Sequence, residues 1–477
     1  MSPIDVTADV ELVRSLVAKY FPIYDVKVSY EAVSLLVSPD KGQLEVNFES
    51  LRKDMKAKGF IPFIHYSGGE YTISVIRSPE TKKGNLWINR VLLVVTFVTT
   101  ALAGMVLWAD YDGAAQLFTL NNFIMGAVFF AVPLLAILGV HELSHYLMAK
   151  RHGVEASLPY FIPSFPPLGT FGAFISLRDP MPSRRALVDI GVSGPLGGLA
   201  VTIPVALIGL YLTANGHPVD GSVGTSGAMA VMIQPLYQLL SMIVPVADNM
   251  AFHPTAFAAW VGFLVTAINL LPIGQLDGGH VARGLFGENA KYLGYATFGI
   301  LIFLTLFYDG WLLFALLVFL LGLKHPAPLN DISKIGRKTM VAGALGLVVL
   351  LSTFVPQPMT VIGPDHSFDL TVVGGNSTTV PAGGVAYFNI TVSNTGNTNS
   401  TVTLTLDMIP SGWTASIYRS DGTPEGSTDV LTFDLGYRSS VNVTAEVHAL
   451  TKVTGELKLT AGASGISKVQ PLTVSVS

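Results

Sequence analysis

The sequence predicts a multi-span α-helical membrane protein of about seven spans, with a small N-terminal α+β domain and a C-terminal all-β sandwich. Three observations carry this. Half of the 477 residues are hydrophobic and only 13% are charged, and the mean hydropathy of +0.53 is too apolar for an ordinary soluble domain. Several uncharged runs of span length lie between about residues 91 and 355. Beyond Pro356 the composition shifts to Val, Thr and Leu alternating with Gly, Asn and Ser turns. A net charge of −4 gives no reason to expect a nucleic-acid partner. With no cysteine, disulfides and thiolate metal sites are excluded, so any metal must use His, Asp or Glu. The opening Met1-Ser2-Pro3-Ile4-Asp5 lacks a basic, then apolar, leader, so no cleaved signal is expected.

Residues 1–80 read as the α+β domain. Val10, Val13, Leu16 and Val17 recur at helical spacing, and a second helix is expected over Glu49–Lys58. Val26–Val37, Leu44–Phe48, Phe60–Tyr66 and Tyr71–Ile76 look strand-like, with Ser67-Gly68-Gly69-Glu70 as a hairpin turn. Recognition or regulation is one role for such a domain, and a plain cytosolic appendage is the other.

A basic linker, Lys82-Lys83 to Arg90, leads into the first expected span, about Val91–Trp108. The second, Phe123–Met148, ends at Lys150-Arg151-His152. A Pro- and Gly-rich segment, Leu158–Pro182, precedes the third, Ile190–Leu212, which opens on small residues from Gly191 to Gly198 that let helices approach closely. The fourth is Pro254–Leu271, followed by Tyr292–Phe307, Trp311–Leu323 and Met340–Val355. Ser226–Val246 is apolar enough to tempt an eighth span, and charge decides against it. With seven spans every flanking Lys and Arg falls on one side, while Asp110–Asn122, Thr213–His253 and Tyr308–Gly310 contain none. The positive-inside rule then puts the N-terminus in the cytoplasm and the C-terminus outside. Pro235 and Pro245 suit an interfacial or re-entrant helix better than a span. Residues 89–338 thus form the membrane core, 339–356 a last transmembrane helix, and 365–477 the sandwich. Val385–Val392, Thr401–Met408, Val441–Val447 and Glu456–Ala461 are its clearest strands. Sequons at Asn376, Asn389, Asn399 and Asn442 all fall there, which agrees weakly with an exterior location.

Chemistry concentrates at His141-Glu142-Leu143-Ser144-His145, of the form H-E-x-x-H. Positions four apart share a helix face, so His141 and His145 can grip one ion, and Glu142 can take a proton from a water beside it. Zn²⁺ suits two imidazoles. Three ionisable groups at the end of a hydrocarbon span, each costing about 2.5–3.5 kcal/mol on insertion scales, call for a partner or a function. The plainer reading is a helix end already in water. Two histidines leave the site one protein ligand short. The predicted topology brings Asp277, just past the inward-running fourth span, to the face where His145 lies, leaving a fourth position open. Read alone, Asp277-Gly278-Gly279 is a turn; beside the H-E-x-x-H it becomes a third ligand.

His141–His145 together with Asn269-Leu270-Leu271-Pro272 and Leu276-Asp277-Gly278 resembles the site-2 protease family of intramembrane zinc metalloproteases. Ala149–Val154, Leu158–Pro163, Gly169–Ile175 and Ser193-Gly194-Pro195-Leu196 are closer still to its archaeal, cyanobacterial and chloroplast EGY-type branch, and the resemblance covers about Asn89–Asp331. It implies one Zn²⁺ on His141, His145 and Asp277, with Glu142 as general base and acid. It implies a β-strand clamp at Gly169–Ile175, with Gly169, Gly172 and Phe174 against an unwound substrate segment. It implies a polar contact from Asn269 to substrate or oxyanion, where the residue alone reads equally as an interhelical hydrogen bond. The implied activity is hydrolysis of peptide bonds in membrane-protein substrates, in the lipid of a prokaryotic, archaeal plasma membrane. His280 and His325 are not expected to be ligands. In the C-terminal region, Asn394-Thr395-Gly396 and Ile409–Trp413 resemble Ig-like modules of microbial surface proteins, either restricting substrates or serving as a stalk. Two other functions stay open: an ion transporter, for which no internal repeat is visible, and an inactive protease-like chaperone.

Overall fold

The N-terminal residues fold as two helices on a four-stranded sheet because their apolar positions keep a strict period. The computed structural model describes residues 8–29, 32–79, 85–218, 228–247, 250–420 and 429–477, so the first five residues and Lys82-Lys83 lie outside it. Helix α1 (Ala8–Ala18) is followed by β1 (Ile23–Val28), β2 (Val33–Val37), α2 (Leu44–Ala57), β3 (Phe60–Ser67) and β4 (Glu70–Arg77). The antiparallel sheet has the order β1-β2-β4-β3. Val13, Leu16 and Val17 of α1 pack with Phe48, Leu51 and Met55 of α2 over Leu35, Ile64 and Ile73. Two expectations are corrected here. Leu44–Phe48 is no strand but the first turn of α2: Leu44, Phe48, Leu51 and Met55 are buried at helical spacing, which outweighs the local alternation. Val26–Val37 is not one strand; it contributes to an antiparallel pair, β1 with β2.

This layer is tied to the residues that follow rather than dangling from them. Ile64 N–H donates to Leu329 O at 2.9 Å, and Leu329 completes the layer's apolar core. Arg52, held by Glu49, donates to His152 O at 3.1 Å, and Lys56 Nζ lies 2.6 Å from Asp179.

Helix α3 (Leu86–Tyr111) starts on an Asn85 cap, and α4 (Leu120–Gly126) on a Thr119 cap. A π turn, Ala127–Ala131, joins α4 to α5 (Val132–Arg151), giving one helical rod over Leu120–Arg151. The hairpin of β5 (Tyr160–Pro163) and β6 (Thr170–Phe174) follows, then α6 (Arg184–Ala214), capped by Ser183. Next come α7 (Pro235–Ser241), α8 (Pro254–Asn269), α9 (Asp277–Phe286), α10 (Ala290–Leu304), α11 (Gly310–Leu321) and α12 (Arg337–Thr353). Among the described residues, α3, the Leu120–Arg151 rod and α6 are the helices long and apolar enough to cross a membrane. At 1.5 Å per residue α8, α10, α11 and α12 reach only about 18–26 Å, against a hydrocarbon core of about 30 Å. The protein is therefore a membrane protein, with three helices of full spanning length among the described residues. Within Ser226–Val246, expected to be interfacial or re-entrant, the described residues form a short strand and the seven-residue α7, and no helix of spanning length lies there among them.

These elements to Pro358, excluding residues 218–231, form one compact unit; Pro218–Val231 and Met359–Ser477 form the second. In that second unit β7 (Ala228–Val231) pairs antiparallel with β8 (Met359–Ile362). Nine further strands build the predicted sandwich: β9 (Phe368–Val373), β10 (Ser377–Val380), β11 (Val385–Asn394), β12 (Ser400–Asp407), β13 (Thr414–Arg419), β14 (Val430–Leu435), β15 (Ser440–His448), β16 (Gly455–Ala463) and β17 (Ile466–Val476). The sheets have orders β10-β17-β16-β12-β14 and β13-β15-β11-β9. Alternate residues such as Phe388, Ile390 and Val392 point inward with Trp413 in one core. All four sequon asparagines are exposed.

Candidate metal centre

The side chains of the site are carried on three helices whose contacts fix its geometry. His141, Glu142 and His145 lie on α5, exposed by only 3%, 8% and 6%. Asp277 is the first residue of α9, where the unpaired N–H groups of a helix start favour a carboxylate. Asn269 ends α8.

Asp277 Oδ2 is 3.2 Å from His141 Nε2 and 3.1 Å from His145 Nε2, and the two ring nitrogens are 3.2 Å apart. Three ligand atoms on a tetrahedral ion with bonds of about 2.0–2.2 Å stand about 3.3 Å from one another, so this triangle fits Zn²⁺ closely. His145 Nδ1 is 2.8 Å from the Ile190 carbonyl. A carbonyl only accepts, so Nδ1 carries the proton and Nε2 turns a lone pair to the centre. The same three residues are the His/Asp/Glu group, among the described residues, able to hold a metal.

Space for the ring is made by α6. A Cβ on Gly194 would sit 2.0 Å from His145 Nε2, so only glycine leaves the ligand atom clear. The run of small residues thus does more than bring helices together.

Glu142 does not join the triangle. Its carboxylate lies beside the backbone of Ile175, the residue after β6. In the β5–β6 hairpin, β6 pairs on one edge only among the described residues. Phe174, 46% exposed, stacks on Tyr160 at 5.4 Å, and Gly172 takes φ +102° beside open space. Gly169 is committed elsewhere: at φ +73° it lies against the α3 backbone, and its carbonyl accepts from Thr99 Oγ1 at 2.6 Å. Asn269 Nδ2 is 3.4 Å from His141 Nε2, so it reaches the centre. His280 and His325 stay outside it, bonded to each other through Nδ1 and Nε2.

The sequence pattern brought out His141, Glu142, His145, Asp277 and Asn269, all of which converge. It missed the Ile190 carbonyl and the Ile175 backbone, groups with no sequence signal. The steric role of Gly194 was visible only as a run of small residues.

Residues 129–307 match the family described as Peptidase family M50. The chain is 35% identical over 240 residues to "Probable zinc metalloprotease EGY1, chloroplastic" of Arabidopsis thaliana, covering 48% of this chain and 43% of that one. It is 32% identical over 232 residues to EGY2 of the same plant, likewise called a probable chloroplastic zinc metalloprotease, covering 48% and 41%. Against EGY3, called a probable chloroplastic zinc metallopeptidase, identity is 30% over 290 residues, covering 55% and 48%. The chain spans less than half the length of each of these curated relatives.

Proposed function

We propose, on the premise that residues 129–307 form a peptidase family M50 domain, that the chain is a membrane zinc metallopeptidase. Its substrates are membrane-spanning proteins, hydrolysed near the cytoplasmic side. The observation that carries the reading is the triangle of His141, His145 and Asp277 atoms, 3.1–3.2 Å on each edge, beside a buried glutamate that is not a ligand.

Zn²⁺ bound there supplies a Lewis acid for the scissile carbonyl and makes an adjacent water acidic, with a pKa of about 7. His141, His145 and Asp277 would hold the ion. Glu142, buried beside the Ile175 backbone, takes one proton from the attacking water as its oxygen bonds to the carbonyl carbon. It then gives that proton to the departing amide nitrogen as the C–N bond breaks. Asn269, next to His141, is placed to donate to the carbonyl oxygen as it gains charge. The unpaired edge of β6 offers backbone groups to an unwound substrate, with Gly172 and Phe174 beside it and Gly169 anchoring the hairpin to α3.

The one-sided distribution of Lys and Arg supports a seven-span reading with the N-terminus in the cytoplasm and the sandwich outside, in a prokaryotic plasma membrane. In that arrangement the shorter helices α8, α10, α11 and α12 cross by local thinning of the bilayer and by flanking basic residues. The test is Glu142→Gln in the full chain. Zinc content stays at wild-type level, and cleavage of a membrane-spanning reporter falls to background. Cleavage at the wild-type rate by that variant would refute the assignment.

A further inference from the structure

A cavity of about 290 Å³ lies between α9, the start of α10 and the turn after α11. Arg283, Glu288, Lys291, Lys324 and His325 line it. The groups differ in how far they are already satisfied. Arg283 is bound at two points to Asp331, at 3.0 and 2.7 Å. Both ring nitrogens of His325 are engaged, one by Pro326 O and one by His280. Lys291 and Lys324 have no carboxylate within salt-bridge distance among the described residues; Lys291 only overlies the Tyr292 ring. Against them stands the single carboxylate of Glu288. The balance is about one positive charge, to which the N-terminus of α10 adds about half a unit.

That balance matches a singly charged anion better than a dianion. The volume, at the small end of ligand pockets, suits a phosphate with a few atoms on either side. The surroundings indicate what bears it. Tyr292 (63% exposed) and Tyr295 (42%) stand at the same end of α10, and exposed Ile300, Ile302 and Phe303 continue along that helix. Aromatic residues beside lysines, followed by an apolar stripe, are what a headgroup boundary and an acyl layer require.

We propose that this cavity is a binding site for a phosphodiester, the headgroup of an anionic phospholipid, clasped by Lys291 and Lys324. The ligand bridges the first turn of α10 and the turn after α11, and Pro272, Gly274 and Gly279 of the same wall belong to the segment that delivers Asp277. Occupancy therefore braces the backbone behind the third metal ligand. The site is independent of the peptidase reading, because it is measured by binding alone.

The test uses the full chain in neutral detergent. Vesicles of phosphatidylglycerol or phosphatidylcholine supply the lipid, and retained lipid is counted by native mass spectrometry. Wild type is expected to retain phosphatidylglycerol about tenfold over phosphatidylcholine. The Lys291→Gln/Lys324→Gln variant is expected to lose that preference, and Lys291→Arg/Lys324→Arg to regain it. Should the double glutamine variant not fold, Lys324→Gln alone, on an exposed turn, lowers the preference. Calorimetry with inorganic phosphate separates the sources. Lysine-dependent phosphate binding without lipid preference keeps the site and reassigns its ligand to a soluble phosphate. Absence of both, or a lipid preference that survives loss of both lysines, overturns the proposal.

Discussion

The two ends of α8 hold buried histidines under opposite instructions. At its N-terminus His253 is 3% exposed, and its Nδ1 accepts the Thr255 N–H at 3.1 Å, so the ring caps the helix. Tyr111, Phe129 and Trp108 meet that ring edge-on at 4.9–5.8 Å, and no carboxylate bonds it among the described residues. Burial, with His217 nearby, pushes His253 down to about 4, so it is neutral at ordinary pH. At the other end Asn269 stands beside His141, where two imidazoles and a carboxylate aim at one point. Burial alone does not mark a histidine as functional. What separates the two ends is whether the lone pairs are spent on backbone or converge with an anion.

The contrast can be broken or sharpened in order of effect. Asp277→Asn leaves the two rings in place but removes the anion, and zinc retained after gel filtration should fall at least about tenfold, with reporter cleavage lost. Full zinc occupancy in that variant would show that converging imidazoles suffice. Gly194→Ala should also empty the centre, by putting a methyl group where His145 Nε2 must lie, while circular dichroism stays unchanged. His253→Ala should do the reverse: zinc and cleavage stay near wild type, while loss of the cap and ring contacts lowers Tm by a few degrees, reflecting about 1 kcal/mol. A further effect is a pH dependence. The folded value of His253, about 4, lies below the unfolded value of about 6.5, so its stabilisation is complete above about pH 6.5 and is lost as pH falls towards 4. A Tm profile over that window should be flatter in His253→Gln than in wild type.

The legible and illegible parts of the chain divide on physical grounds. The sandwich was readable because each strand alternates over a long run, as in Val385–Asn394. His141 and His145 were readable because they share one helix turn, and Asp277 because the expected topology ends the fourth span on the same face. Leu44–Phe48 misled because five residues satisfy period two, while the period that governs them emerges only when Leu51 and Met55 are included. Tyr292–Phe307 and Trp311–Leu323 are continuous in hydropathy and nearly coincide with α10 and α11, which backbone turns end at Leu304 and Leu321. The approach of Glu142 to Ile175 and the Lys291–Lys324 cavity join segments 33 residues apart, which local periodicity does not encode.

The π turn at Ala127–Ala131 sets a phase. Each such widening adds one residue to a helical turn and so rotates what lies beyond it by about 100°. In the turn and just before it, Ala127, Ala131 and Phe123 pack with Ala101 of α3; downstream, the His141 and His145 faces address α6 and α9. Removing a single residue from the turn would restore regular winding and leave every side chain chemically intact. It would also swing the imidazoles away from their carboxylate relative to the α3 contact. The turn acts as an angular spacer: the helix needs one residue too many in order to face two neighbours at once.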